Sequence, residues 1–478
     1  MRMALALMPG VVGAALLLGA AAALAHAAPV DLAITGARVL SPPLPVRENV
    51  TILVDAGRIA GIVPASERFE AHERIDATGR TVVPGLIDTH VHFNMAPFES
   101  EAAYLAWVRD GAPERAREYV RHGFTTIQSV GDYWPGVLAL RERLNAPGAA
   151  SPRLLVTGPM ITPAGGHGAI DFPPCNAVPY CDEHGWFAEV ASVDHARALV
   201  ARLADAGVDG IKVAHDGNEF AYPSMKPMGR FAPGVLRALV SAAHARGLRV
   251  YAHAYPIGSA LEALDSGVDA MSHGPGLFRV GGKGASIEPL VARIVRDGVP
   301  VSTTLSPQGF MEDPWGVERD TSFGGTEAVP YLKQAGAMRW AGSDVAAFLR
   351  AGMVLAFGTD MIYLRHPADV IGQEFGALAE AGLDGQQLLQ LATANAARFL
   401  GRERDLGSVE EGKIADLAIL SLDPAVRPDF YRRVDVVIRG GELVWDFRTD
   451  GRPAAAPAGS AAPGAAAGPA SAPDPAQP

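Results

Sequence analysis

His90 and His92 stand one residue apart in GLIDTHVHFN, residues 85–94, in a chain that has only 13 histidines among 478 residues. The run before them is short and apolar and predicts a strand, in which alternate side chains face the same way. His-x-His therefore aims two imidazoles at one point, a geometry that a divalent metal ion can use. Two unrelated pocket or surface histidines are the alternative, and so short a motif does not choose between them. Four further residues lie on or just after apolar runs: Lys212 in DGIKVAH, His253 in RVYAHA, His273 in DAMSHG and Asp360 in LAFGTD. Each has an ordinary explanation alone: a hydrogen-bonded core histidine, a lysine whose stem lies along apolar surface, an aspartate that begins a turn or caps a helix. Their joint placement favours a metal site, because imidazole and carboxylate suit Zn²⁺ and related ions and leave positions open for water and substrate. A protonated lysine is a poor ligand, but carboxylation would convert Lys212 into a carbamate whose two oxygens can bridge two ions.

Such residues need a frame that brings them together. GLIDTHVH, TTIQSVG, RLLVTGP, GIKVAH, LRVYAHA, VDAMSHG, VPVSTTL and VLAFGTD are eight apolar runs separated by helix-length segments. Alternation of this kind predicts an α/β chain built as a TIM-type (β/α)₈ barrel over residues 85–403, with functional residues at the C-terminal ends of its strands. Residues 28–84 and 404–448 instead carry short alternating runs punctuated by Gly and Pro, such as DLAITGARVL and VDVVIRGGELVWD. They predict one small β-sandwich side domain assembled from both parts of the chain.

The remaining stretches bound the function. Residues 1–27 read as a secretory signal, with Arg2, an apolar run and Ala25-His26-Ala27 as a small-x-small cleavage pattern. An uncleaved anchor is the alternative; Pro9-Gly10 breaks the apolar run and favours cleavage, an exported (periplasmic or secreted) product and no membrane partner thereafter. Export makes a local disulfide between Cys175 and Cys181 in FPPCNAVPYC the favoured state, with free thiols or soft metal ligands as the alternative. Residues 449–478 are almost entirely Ala, Pro, Gly and Ser and predict a disordered tail. A net charge of −11 without a basic run argues against nucleic acid as a partner. A small molecule is the expected partner, and a homo-oligomer is left open.

The set PGLIDTHVH, GIKV, YAHA, SHG and GTD resembles the amidohydrolase superfamily of metal-dependent hydrolases. TPAGGHG, residues 162–168, resembles a loop of the branch that groups imidazolonepropionase-like enzymes with prolidase-like dipeptidases. LLQLATANAARFLGRERDLGSVEEGKIADLAIL resembles the last barrel helix returning to the side domain, so the likeness spans Val30 to about Trp445. It implies a binuclear site, zinc by default: Lys212 as an N6-carboxylated bridge, His90, His92 and Asp360 on the more buried ion, and His253 and His273 on the more exposed one. It also implies that Lys212 argues against a true imidazolonepropionase, since those resemble single-metal members without this lysine. Tyr255, in AHAY, is a departure: dipeptidase-like relatives often carry a second histidine there.

The expected reaction is hydrolysis of an amide bond by metal-activated hydroxide, with Asp360 taking the nucleophile's proton and passing it to the leaving nitrogen. His167, between glycines in GGHG, is either a hydrogen-bonding partner of the substrate or a histidine of a tight loop. The expected substrate carries a free carboxylate: a dipeptide, a prolyl dipeptide or an N-acyl amino acid. Arg230 and Arg365 are the candidate anion partners, and Tyr222, Tyr255 and Tyr363 are further candidate substrate contacts. The rival enzymatic reading is a cyclic-amide hydrolase or a deaminase acting on a small heterocycle, which would use one metal. A non-catalytic binding relative is the remaining alternative, and the six filled ligand positions speak against it. Residues 310–342 predict a long excursion after the seventh strand, either a pocket cover or a surface insertion.

Overall fold

A computed structural model describes residues 28–93, 100–169, 185–217, 228–274, 287–306, 342–361 and 366–449. The expectations for the signal segment, Cys175, Cys181, Tyr222, Tyr363, Arg365, the excursion before residue 342 and the tail beyond residue 449 fall outside these residues. Among the described residues no helix is long and apolar enough to cross a membrane.

Both parts of the expected side domain contribute to one sheet. Its strands are β1 (Val30–Val39), β2 (Arg47–Asp55), β3 (Arg58–Pro64), β4 (Ala71–Asp76), β5 (Thr81–Pro84), β16 (Leu417–Leu420), β17 (Val434–Arg439) and β18 (Glu442–Asp446). They hydrogen-bond in the order β18-β17-β16-β5-β1-β2-β3, with β4 also on β1. The hydrogen bonds run through one continuous sheet. The two parts meet where β5 pairs antiparallel with β16, Val82 opposite Ile419 and Val83 opposite Ala418. Here the period of two does double work. Val82, Leu417, Ile419, Val436 and Ile438 pack with Leu32, Ile34, Ile52 and Val54 into the sheet's own core. Val83, Ala418, Leu420, Val434 and Val437, on the other face, join the core of the rest of the chain.

All eight apolar runs contain a strand, and every pairing among them is parallel. β6 (Leu86–Val91), β7 (Phe124–Ser129) and β8 (Arg153–Val156) form one sheet; β11 (Gly210–Ala214), β12 (Arg249–His253), β13 (Ala270–Met271), β14 (Val301–Ser302) and β15 (Leu355–Ala356) lie in order in another. The second sheet also holds β9 (Met160–Thr162) and β10 (Phe187–Glu189), two short strands that the apolar runs do not announce. Helices follow, among them α1 (Glu101–Arg121) after β6, α3 (Val193–Asp205) before β11, α4 (Pro233–His244) and α5 (Ile257–Asp265) around β12, and Pro367–Glu380 after β15. β6, β7 and β11 are buried along their whole length, as parallel strands between helices are.

Backbone hydrogen bonds join the two parallel sheets along β6. Thr89 N donates to Phe357 O at 3.0 Å, Asp360 N to His90 O at 2.8 Å and His92 N to Met361 O at 2.6 Å. This close approach requires Gly358, since a Cβ there would lie 2.0 Å from Ser302 Oγ and 3.1 Å from His90 Cβ. On β8, Val156 O accepts from Asp209 N at 2.7 Å, just before β11.

The side sheet is tied to the strands' N-terminal ends by the buried Arg439, whose Nη1 donates to Leu144 O at 3.0 Å and Ser151 O at 2.8 Å and whose Nη2 donates to Ala146 O at 3.2 Å. Arg439→Ala should therefore lower stability by about 3 kcal/mol in urea unfolding, through the loss of its packing and hydrogen bonds and the buried Ser151 carbonyl left unmet. Because those carbonyls precede β8, far from the strands' C-terminal ends, metal content should stay at the wild-type value. A variant that unfolds as the wild type does would refute the tie.

Candidate metal centre

His90 and His92 leave β6 on one side, as the alternation requires, and both are buried. Their second ring nitrogens are spoken for. His90 Nδ1 lies 2.9 Å from Ser272 O, and His92 Nδ1 lies 3.1 Å from Gly131 O. A carbonyl only accepts, so each Nδ1 carries the proton and each Nε2 carries a lone pair. Gly131 has φ of +139°, and a Cβ there would meet the His92 ring at 3.3 Å, so glycine lets the carbonyl reach the imidazole.

The two Nε2 atoms lie 3.4 Å apart, with Asp360 Oδ1 at 3.2 Å from one and 3.3 Å from the other. Three atoms that can only accept thus converge on one point. A metal ion suits this set by distance as well as by chemistry. Ligand arms of 2.0–2.2 Å at tetrahedral angles put donor atoms roughly 3.3 Å from one another. Lys212 Nζ stands 3.4 Å from His90 Nε2. His273 adds Nδ1 at 3.9 Å from Asp360 Oδ2 and 3.0 Å from Thr304 Oγ1. The residues expected at four separate strands, β6, β11, β13 and β15, therefore meet.

Burial sets the charge states. It lowers the His90 imidazolium to about 4, with Lys212 adding repulsion and Asp360 opposing, so the ring is neutral at pH 7. His273 falls well below its ordinary value for the same first reason, with His90 next. For Lys212, burial brings the ammonium down to about 7 against the pull of Asp360 and Asp216. Burial would raise the Asp360 carboxyl, but the imidazoles of His90, His92 and His273 beside it take up a proton in preference to it, and the group is held well below its ordinary value.

Two buried carboxylates that were not singled out in the sequence hold this arrangement in place. Asp88 accepts from His90 N and Thr359 N at 3.1 Å each and from Thr359 Oγ1 at 2.7 Å, fastening β6 to the residue before Asp360. Glu374, on the helix Pro367–Glu380, accepts from Thr303 Oγ1 at 2.5 Å, Leu305 N at 2.6 Å and Ser306 N at 2.7 Å. It thereby pins the turn that offers Thr304 to His273. Thr304 and Asp360 both have left-handed backbone, φ +46° and +49°, a cost that surrounding structure must sustain.

His253 stands in a second group. Its ring centroid is 4.7 Å from that of His273, and its Nε2 is 2.5 Å from Oδ2 of Asp216, a residue also not anticipated. A hydrogen bond, not an interposed ion, fits 2.5 Å, since two ligand arms would hold the atoms farther apart. His167 stacks on His253 at 4.1 Å, with Nδ1 3.9 Å from Asp216 Oδ2. Tyr255 lies against both rings, 4.4 Å from His253 and 4.7 Å from His273. Arg230 Nη1 donates to Glu262 at 2.9 Å, and that carboxylate also meets His215 at 2.8 Å. In the sequence Asp216 and Gly217 look like a turn, which hid the buried carboxylate.

The pattern of the amidohydrolase family matches residues 81–444. An uncharacterised protein of Mycobacterium bovis is 26% identical over 259 residues, which take in 54% of this chain and 64% of that relative. The imidazolonepropionase of Geobacillus kaustophilus is 24% identical over 440 residues, 83% of this chain and 90% of that one. Among solved structures, a Xaa-Pro dipeptidase with methionine in its active site is 26% identical, with a TM-score of 0.69 over 86% of this chain and 99% of that one.

Burial pushes the Glu374 carboxyl up to about 8 from its ordinary 4.5, against the three hydrogen bonds it accepts. The folded chain thus holds one proton more than the unfolded chain between those values, and the stability it contributes is present below about 4.5 and lost as pH rises through about 8. Glutamine offers the same acceptor and donor without titrating. Glu374→Gln should match the wild type within about 1 kcal/mol at pH 5 and exceed it by roughly 2 kcal/mol at pH 9 in urea unfolding. A difference that does not change with pH would show that Glu374 ionises in the ordinary range.

Proposed function

Since the chain belongs to the amidohydrolase family, whose members are hydrolases acting on carbon–nitrogen bonds, we propose that it is an exported, binuclear metal-dependent amidase. Its substrate is a small amide with a free carboxylate: a dipeptide, a prolyl dipeptide or an N-acyl amino acid. The observation that carries the proposal is the convergence of His90 Nε2, His92 Nε2 and Asp360 Oδ1 at 3.2–3.4 Å inside a buried pocket. Similarity to the Xaa-Pro dipeptidase structure favours the peptide-like substrate class. In the same proposal the eight parallel strands close into a (β/α)₈ barrel and the side sheet folds about its own core as a sandwich.

Divalent ions of the zinc type supply acidity, bringing a water's pKa towards 7 and polarising a carbonyl. His90, His92 and Asp360 would hold the inner ion, His253 and His273 the outer one, and a carboxylated Lys212 would be a ligand common to both. Two features support the carbamate: Lys212 lies beside His90, and burial brings it to about 7. Near neutrality much of it is then free amine, whose nitrogen can bond to CO₂ as an N–H proton leaves. Asp360, held as carboxylate, takes the proton of the attacking water. It returns that proton to the nitrogen as the C–N bond breaks, so that the products are a carboxylate and an amine. Tyr255, against both His253 and His273, is the substrate contact in this proposal.

A second reading has a specific observation behind it. Two groups among the described residues have ligand atoms close enough for a metal ion, His90 with His273 and Asp360, and His167 with Asp216 and His253, but in the second His253 and Asp216 lie at hydrogen-bond distance, which favours one ion. One of the similar proteins is a 5-methylthioadenosine/S-adenosylhomocysteine deaminase of Symbiobacterium thermophilum, 25% identical over 448 residues. A single-ion deaminase or cyclic-amide hydrolase would release ammonia or a ring-opened acid.

Protein purified without chelator should contain two ions per chain by elemental analysis and release a free amino acid from dipeptides or N-acyl amino acids. Lys212→Ala should lower ion content and turnover together, with partial recovery on adding short-chain carboxylates; unchanged ion content would eliminate the bridge. Asp360→Asn should reduce kcat by roughly 10²–10⁴-fold while retaining ions. Normal turnover by that variant would remove Asp360 as the proton carrier.

A further inference from the structure

We infer that Asp216 is a positioning residue that selects the tautomer of His253, so that Nδ1 is the nitrogen His253 offers to a metal ion. The functional consequence rests on the two-ion reading above; the tautomer itself does not.

Asp216 follows β11, the strand that carries Lys212, and its carboxylate is buried. Oδ1 accepts from Tyr255 N at 2.9 Å, and Oδ2 lies 2.5 Å from His253 Nε2. Its own carbonyl accepts from Ser259 Oγ at 2.6 Å, and His215 N donates to His253 O at 2.8 Å. Asp216 is thus held to β12 and to the start of α5 at several points, and it can neither withdraw nor rotate freely. An ionised carboxylate only accepts, so His253 Nε2 must be the protonated nitrogen. In the neutral ring the lone pair then resides on Nδ1.

This is the reverse of His90 and His92, where carbonyls hold the proton on Nδ1 and leave Nε2 as the donor atom. The inner set therefore uses one nitrogen type and His253 the other. Ring packing alone would not decide this. The imidazole is held between His167 on its face, at 4.1 Å, and Tyr255 and His273 at its edges, at 4.4 and 4.7 Å. Those contacts fix the plane of the ring and are indifferent to where its proton sits. Asp216, bonded to one nitrogen, distinguishes the two.

Asparagine at position 216 makes the point sharply. Two N–H groups address the two carboxylate oxygens, and an amide has one oxygen. If that oxygen stays with Tyr255 N, the amide NH₂ meets His253 Nε2, which must then accept. The proton moves to Nδ1, and the nitrogen meant for the ion is blocked. Shape is preserved while the tautomer is inverted, the same logic by which an aspartate-to-asparagine change disables a catalytic triad.

The experiment is long-range ¹H–¹⁵N NMR of metal-free protein labelled at histidine, with His253 assigned through His253→Ala. It is read together with cobalt titration of the wild type, Asp216→Asn, His253→Ala and the double variant. The wild type should show protonated Nε2 at His253 and Asp216→Asn protonated Nδ1. Asp216→Asn should bind the first cobalt ion as the wild type does and the second roughly 10–100-fold more weakly, within the range for loss of a partner behind a ligand. The double variant should be no worse than His253→Ala, because Asp216 acts through His253. A wild-type His253 protonated on Nδ1, or additive losses in the double variant, would overturn the inference, and the wild-type spectrum serves even if the variants do not fold. A wild type that binds one ion yet shows protonated Nε2 would instead overturn the two-ion reading and leave the tautomer assignment standing.

Discussion

Three accepting atoms brought to within 3.2–3.4 Å of one another in a buried pocket are the constraint on which this molecule turns. Lone pairs of like polarity repel, and burial removes the water that would soften the repulsion. The arrangement persists because each group is held from behind. Ser272 O and Gly131 O fix the two imidazoles, and the left-handed backbone at Asp360 aims the carboxylate. A cation converts the repulsion into coordination, so the same geometry that costs stability without an ion supplies affinity for one.

That cost explains the buried carboxylates around the site. Asp88 joins His90 to Thr359, and Glu374 joins the turn after β14 to its helix. Burial raises both carboxyls, to about 7 and about 8. Neither reaches the metal set, and each instead holds a segment that carries a group belonging to it. The strain at Thr304 and Asp360 is sustained by these clamps, and it lies where two strands hand over to the site. The fold thus places strained backbone and clamped carboxylates at the strands' C-terminal ends, while at the other end the buried Arg439 and the Arg153–Asp416 ion pair join the strands to the side sheet.

The side sheet meets a different demand. β5, β16 and β17 are buried on both faces, one against their own sheet and one against the main core. Such strands need apolar residues at every position, which Thr81–Pro84 and Leu417–Leu420 nearly satisfy. Residues more than 300 apart in sequence become neighbours this way, and β6 starts directly from β5. The histidines on β6 are therefore anchored on one side by the side sheet and on the other by the strand before Asp360.

What the sequence determined by itself is what period and residue type can carry. Eight apolar runs at helix-length spacing marked the eight parallel strands, and the types and strand-end positions of His90, His92, Lys212, His253, His273 and Asp360 marked the site. Apolar alternation also showed that both flanking regions are β-structure. It did not show the single continuous sheet or the short β9 and β10, since pairing partners and two- or three-residue strands leave no period to read. Tertiary structure alone decided which nitrogen of each histidine carries a lone pair, because that depends on a hydrogen-bond partner on another strand. It likewise decided that Arg230 is paired with Glu262 and that Asp216, in what looks like a turn, is a buried carboxylate behind His253. Residue type says what a group can do; only its neighbours in space decide which of those things it does.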